Sequence, residues 1–120
     1  MKFFAVIALV GFAVLATLFA SINATNTTFG YVGPYDALLY RENVVVKSSM
    51  FQVHSRNVVF PSGGHVNTRP ITGIRAIDRM KKHGGHASIL RGGINQRNVT
   101  IHLKSERGEA LNFTVEIWGR

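Results

Sequence analysis

Five histidines, His54, His65, His83, His86 and His102, are the side chains of this 120-residue chain best suited to hold a metal. His83 and His86 stand close enough in sequence to share an ion. Zinc draws three or four ligands from Cys, His and carboxylates, and no spacing here fixes the remaining positions, so surface histidines are the simpler reading. Hydrolytic chemistry finds no better footing. Scattered serines and six acidic residues form no nucleophile elbow, no paired carboxylates and no ordered Ser/His/Asp set. The glycine pairs lack the following Lys-Ser/Thr of a phosphate-cradling loop. Cysteine is absent, which excludes a disulfide framework, a thiolate metal site, a thiol nucleophile and a redox motif together. We expect a non-enzymatic protein with no cofactor.

The densest charge lies in Arg75, Arg79, Lys81, Lys82 and His83, followed by His86 and Arg91. Arg75, Arg79, Lys81, Lys82 and Arg91 form a candidate anion-binding patch, and the neighbouring glycines offer backbone N–H groups to it. The bland alternative is a solvated loop. A reader of single-stranded nucleic acid interleaves aromatics with such charges for base stacking; this stretch has none, so direct nucleic-acid binding is not expected. Formal net charge is +8, which favours contact with anionic partners such as an acidic polysaccharide but says nothing of fold.

A second set of residues concerns export. Lys2 supplies a positive start, Phe3 to Phe19 an apolar run, and Ala20, Ser21 and Ala24 small residues for cleavage, the layout of a secretory signal peptide. The run approaches the length of a membrane-spanning helix, but no Lys/Arg cluster follows it as a stop signal. Residues 1–24 are therefore expected to be a signal peptide, cut near 20–24, leaving 25–120 as one secreted, extracellular domain with no stable membrane anchor. Four Asn-x-Thr acceptors begin at Asn23, Asn26, Asn98 and Asn112. Asn23 lies at or beside the cut, so Asn26, Asn98 and Asn112 are the expected glycosylation sites.

The elements that must position these residues are strands. From Asn98 the sequence alternates: Val99, Ile101 and Leu103 on one face, Asn98, Thr100, His102 and Lys104 on the other. After the turn-rich stretch 105–109 it alternates again, with Phe113, Val115 and Ile117 inward and Asn112, Thr114, Glu116 and Trp118 outward. The two runs read as a hairpin pairing Leu103 with Phe113, Lys104 beside Asn112 and Thr100 beside Glu116. An outward Trp118 calls for a covering loop or a contact surface. Earlier short runs also read as strands: Leu38 to Tyr40, Asn43 to Val46, Met50 to Val53, Asn57 to Phe60 and Ala87 to Leu90. Residues 74–78 read as an edge or bent strand, although Ile71, Ile74, Ile77 and Met80 also fit a helical interval. Glycine and proline turns separate the runs. The expectation is all-β: a small antiparallel β-sandwich or barrel-like domain. Without disulfides it must rest on pairing, packing or self-association.

One further signal is a pattern. Ile71-Thr72-Gly73-Ile74-Arg75-Ala76-Ile77-Asp78, a Gly-Gly turn, Ala87-Ser88-Ile89, Gly92-Gly93, Asn98-Val99-Thr100-Ile101, Lys104-Ser105, Arg107-Gly108 and Asn112-Phe113 through Ile117 together resemble the insect multiprotein bridging factor 2 family. Many members of it are named probable salivary secreted peptides. Trp118 stands where that pattern has Tyr, and Glu109-Ala110 replace small or glycine positions. The resemblance implies two activities: a secreted protein of saliva, venom or haemolymph acting by surface binding, or a transcriptional co-activator bridging a DNA-bound receptor to general transcription factors by protein contact. It brings no catalytic or cofactor residues. The signal peptide and glycosylation acceptors favour the secreted activity. A polyanion-binding or host-defence role is a third reading, resting on basicity alone, and the protein partner is left open.

Overall fold

The computed structural model describes residues 26–120; the expected signal peptide lies outside them. Short runs of β-branched and aromatic residues, which fit a pleated and half-buried surface, form seven strands: β1 (Thr27–Gly30), β2 (Ala37–Val46), β3 (Ser55–Phe60), β4 (Ile71–Asp78), β5 (His86–Gly92), β6 (Val99–Lys104) and β7 (Leu111–Gly119). They make a four-stranded antiparallel sheet, in the order β1-β4-β7-β2, and a three-stranded one, β3-β6-β5. The architecture is an all-β sandwich of two open sheets rather than a closed barrel.

The inner faces meet in one core. Val58, Phe60, Val99, Ile101 and Leu103 of the smaller sheet pack with Val44, Ile71, Ile74, Ala76, Leu111, Phe113, Val115 and Ile117 of the larger. Each fully buried Val, Leu, Ile or Phe is worth about 1.5–3 kcal/mol relative to exposure, which is how a domain of this size holds without cysteine.

The inward phases of β6 and β7 are those the alternation predicts, but their pairing is not. Leu103 pairs with Arg56 and Ala87, while Phe113 pairs with Val44 and Asp78. The two strands lie in different sheets and face each other across the core, so Lys104 is not beside Asn112 nor Thr100 beside Glu116. Thr114, expected at the solvent, is only 3% exposed because β7 is an inner strand flanked by β2 and β4. Leu38–Tyr40 and Asn43–Val46 are parts of the single strand β2. A register shift between Leu38 and Tyr40 marks a bulge there, a feature that bends and protects an edge strand. Met50–Val53 is a turn rather than a strand, and residues 71–78 are a strand throughout.

The connections divide the molecule into two unlike ends. At one end the three loops 47–54, 79–85 and 105–110 each cross from one sheet to the other. At the opposite end only 61–70 crosses. There the loop 31–36 runs from one edge of the larger sheet to the other, and the loop after β5 closes a hairpin with β6.

Candidate binding surface

On the outer face of the larger sheet, Arg75, Glu116 and Arg41 occupy one cross-strand row. Arg41 Nε lies 3.8 Å from Glu116 Oε2, a half-exposed ion pair worth about 0–1 kcal/mol. The Arg75 guanidinium stands 5.8 Å from the centre of the Trp118 ring, within reach of a cation–π attraction of about 0.5–1 kcal/mol. Trp118 pairs with Gly73, where any Cβ would strike Val32 and the Tyr31 backbone. The loop after β1 therefore lies close over Gly73, the cross-strand neighbour of Trp118, and the indole itself is half-buried.

Further along that face, Arg79 Nε donates to Thr114 Oγ1 at 3.1 Å, and the Thr114 hydroxyl donates to Asn43 Oδ1 at 2.8 Å. Of the five predicted patch residues, Arg75 and Arg79 are thus engaged on the outer sheet face. Lys81 and Lys82 project from the 79–85 loop and are exposed. Arg91 sits in the other sheet, five residues along β5 from the loop, about 17 Å at the rise of an extended strand. The structure does not gather all five into one patch.

What shapes the basic loop is an acid that sequence reasoning did not single out. Asp78 ends β4 on its inward phase and is 9% exposed. Its Oδ1 accepts from Met80 N at 3.0 Å and its Oδ2 from Gly85 N at 2.9 Å, so one carboxylate ties both ends of the turn. Burial pushes its pKa above the ordinary carboxylate value, against the pull of those two N–H groups and of His86. Gly85 is required at its position: a Cβ there would meet the Lys104 carbonyl and the Phe113 ring.

The loop 47–54 carries the least expected feature. Gln52 N donates to Ser49 O at 3.1 Å, closing a turn with Met50 and Phe51 at its centre. Phe51 has φ +63°, at the turn position that favours Gly or Asn. A bulky side chain held there costs about 1–3 kcal/mol. Burial does not repay it, since Met50 is 80% and Phe51 74% exposed. The turn is laced to the 105–110 loop instead. Arg107 Nη1 donates to Phe51 O at 2.8 Å, Gly108 N to Gln52 O at 2.7 Å, Ser105 N to His54 O at 2.8 Å and His54 N to Ser105 Oγ at 2.9 Å. No alternation or spacing signalled this tip; the apolar residues alone read as a strand.

At the opposite end a cleft of about 400 Å³ is lined by Tyr31, Asp36, Thr72, Ile94, Asn95 and Arg120 among others. Its buried carboxylate is already committed: Asp36 Oδ2 accepts from Gly33 N at 2.6 Å, and Oδ1 lies 3.8 Å from Arg120 Nε.

The predicted glycosylation residues all reach the surface. Asn98 is exposed in the turn before β6, and Asn112 is half-buried on the outer face of β7. Asn26 is exposed and accepts from Asp78 N through Oδ1 at 3.0 Å. That bond leaves Nδ2, the nitrogen that carries an N-linked sugar. Among the described residues no three His, Asp or Glu side chains gather as metal ligands. His86 Nε2 lies 2.7 Å from Glu106 Oε1 and His102 Nδ1 lies 2.8 Å from Asn57 Oδ1, while His83 is exposed on the loop.

Comparison with known proteins adds two findings. A family model described as "Transcription activator MBF2" matches residues 29–119, which is every strand but the first residues of β1. A protein of Bombus ignitus named "Probable salivary secreted peptide" is 34% identical, with 95% of each chain covered. No solved structure matches the chain.

Proposed function

We propose, from the premise that the chain belongs to the transcription activator MBF2 family, that it is a secreted, N-glycosylated insect protein that acts by binding through its surface and not by catalysis. The observation that carries this reading is the similarity to a protein named a salivary secreted peptide over 95% of both chains. A match of that extent necessarily takes in most of the apolar N-terminal run, the part that reads as an export signal. Exposed Asn26 and Asn98 and outward Asn112 stand where sugars would leave the core undisturbed. Arginines spent on Trp118 and Thr114, and an Asp78 carboxylate spent on backbone N–H groups, describe a scaffold that presents loops.

The family description favours a second reading, a co-activator that bridges transcription factors by protein contact. One experiment separates the two. The whole chain is expressed in insect cells, and the product is located and weighed with and without glycosidase treatment. Recovery from the medium, cut between Ala20 and Ala24 and carrying sugar on Asn98 or Asn112, supports the secreted protein. Retention in the nucleus with Met1 intact refutes it and makes bridging the leading account.

A further inference from the structure

The three crossing loops put two kinds of surface on one rim. Neighbouring strands lie about 4.8 Å apart, so the ends of β2 and β4, from which the Met50–Phe51 turn and the Lys81–Lys82 loop spring, stand about 10 Å apart, with the Arg107 loop before β7 between them. Lys47 and Lys104 flank the same rim and are exposed. Three acids share the rim with these cations: Asp78 is buried in its loop bonds, Glu106 is exposed beside the His86 imidazole, and Glu109 is half-buried, against the exposed Lys47, Lys81, Lys82, Lys104 and Arg107. Two adjacent apolar side chains project from a turn whose Phe51 and Gln52 carbonyls accept from Arg107 Nη1 and Gly108 N. Exposed at the tip, strained at Phe51 and ringed by cations, this turn serves neither packing nor turn propensity.

We infer that this rim docks peripherally on an anionic phospholipid surface, with Met50 and Phe51 entering the interfacial zone and Lys47, Lys81, Lys82 and Arg107 meeting the headgroups. The inference deepens the surface-binding reading above and rests on it. A lipid surface is favoured over a protein groove because the contact elements are three separate loops at one end of a sandwich, carrying exposed apolar and cationic side chains together. Apolar insertion and electrostatic attraction to anionic lipid act together in such binding. Lysines on a solvated loop are suited to headgroups they need not meet in one fixed geometry.

The test uses protein secreted by cells expressing all 120 residues, its N-terminus checked so that the apolar run cannot itself hold it to lipid. Co-sedimentation with phosphatidylcholine vesicles, with and without phosphatidylserine, is compared for the wild type, Phe51→Gly and the double variant Lys81→Ala/Lys82→Ala. Binding is expected only with phosphatidylserine, and to weaken as salt is raised. Phe51→Gly should bind roughly tenfold more weakly yet unfold no more readily, because glycine accepts φ > 0 without strain. The double lysine variant should lose about tenfold or more. A wild type that stays in the supernatant with phosphatidylserine vesicles overturns the inference, as does a Phe51→Gly variant that binds like the wild type. Retention on heparin, or on an immobilised protein, without vesicle binding overturns membrane docking and leaves surface binding standing. A chain that never leaves the cell overturns both.

Discussion

Replacing Asp78 with alanine isolates the contribution of one carboxylate to the basic loop. Its oxygens are the acceptors for Met80 N and Gly85 N, and hydrogen bonds to a charged group contribute about 1.5–3 kcal/mol each. Part of that sum offsets the cost of burying the charge, the same cost that raises its pKa. The net loss expected for Asp78→Ala at neutral pH is about 2–3 kcal/mol. For a domain of this size that lowers Tm by about 8–24 °C. Urea unfolding followed through Trp118, the sole tryptophan, measures the free energy. Amide exchange at Met80 and Gly85 reports the loop itself, and both should lose protection while Val115 keeps its own. A loss under about 0.5 kcal/mol, the scale of an ordinary surface change, with Gly85 still protected, would show that the loop is held by something other than this carboxylate.

Three further outcomes follow from the same packing. With its folded pKa raised above the ordinary 3.8, Asp78 binds its proton more tightly in the folded state. The stability that comes from this shift is then fully present below the ordinary value and lost as pH rises through the folded one, which leaves the two hydrogen bonds as what Asp78 contributes at neutral pH; Asp78's share of the slope of stability against pH in that window should vanish in Asp78→Asn. Gly85→Ala, which forces a methyl against the Lys104 carbonyl and the Phe113 ring, should cost about 1–3 kcal/mol in urea unfolding. Phe113→Ala, at a side chain 1% exposed, should cost about 3–5 kcal/mol, enough to leave the domain largely unfolded near its ordinary Tm by circular dichroism.

Strand phase was legible because alternation reports a face directly: Val99, Ile101 and Leu103, and Phe113, Val115 and Ile117, all point inward as read. Partnership was not. An alternating strand presents the same apolar row whether its neighbour lies beside it or across the core, and the short stretch 105–110 suits either a hairpin or a crossing. Arg41 and Glu42 broke β2 in two on paper, since charges inside a run look like a boundary. In the fold Arg41 reaches Glu116, while Glu42 accepts from the Tyr40 hydroxyl at 2.6 Å, which raises the tyrosine pKa through that bond, burial and the nearby charge. The Met50–Phe51 turn was illegible for the opposite reason. Its residue types favour a strand, and contacts with Arg107 and Gly108, more than fifty positions away, help hold it otherwise. The basic residues were visible as a run, but a run in sequence is divided between two sheets once β4 and β5 part.

β7 is the last strand in chain order and also an inner strand of the larger sheet, pairing Ala37 with Gly119 on one side and Ile71 with Gly119 on the other. Until it arrives, β2 and β4 have no partner between them, so the larger sheet cannot assemble progressively as the chain emerges. Closing such distant pairs is intrinsically slow, and unpaired edges invite association with other chains in the interval. During that same interval Thr114, later sealed beneath Arg79 and Asn43, is open to the enzyme that would read Asn112-Phe113-Thr114. On the proposed glycosylated reading, folding and sugar transfer at Asn112 would therefore compete in time, and slower closure of β7 would favour the glycan.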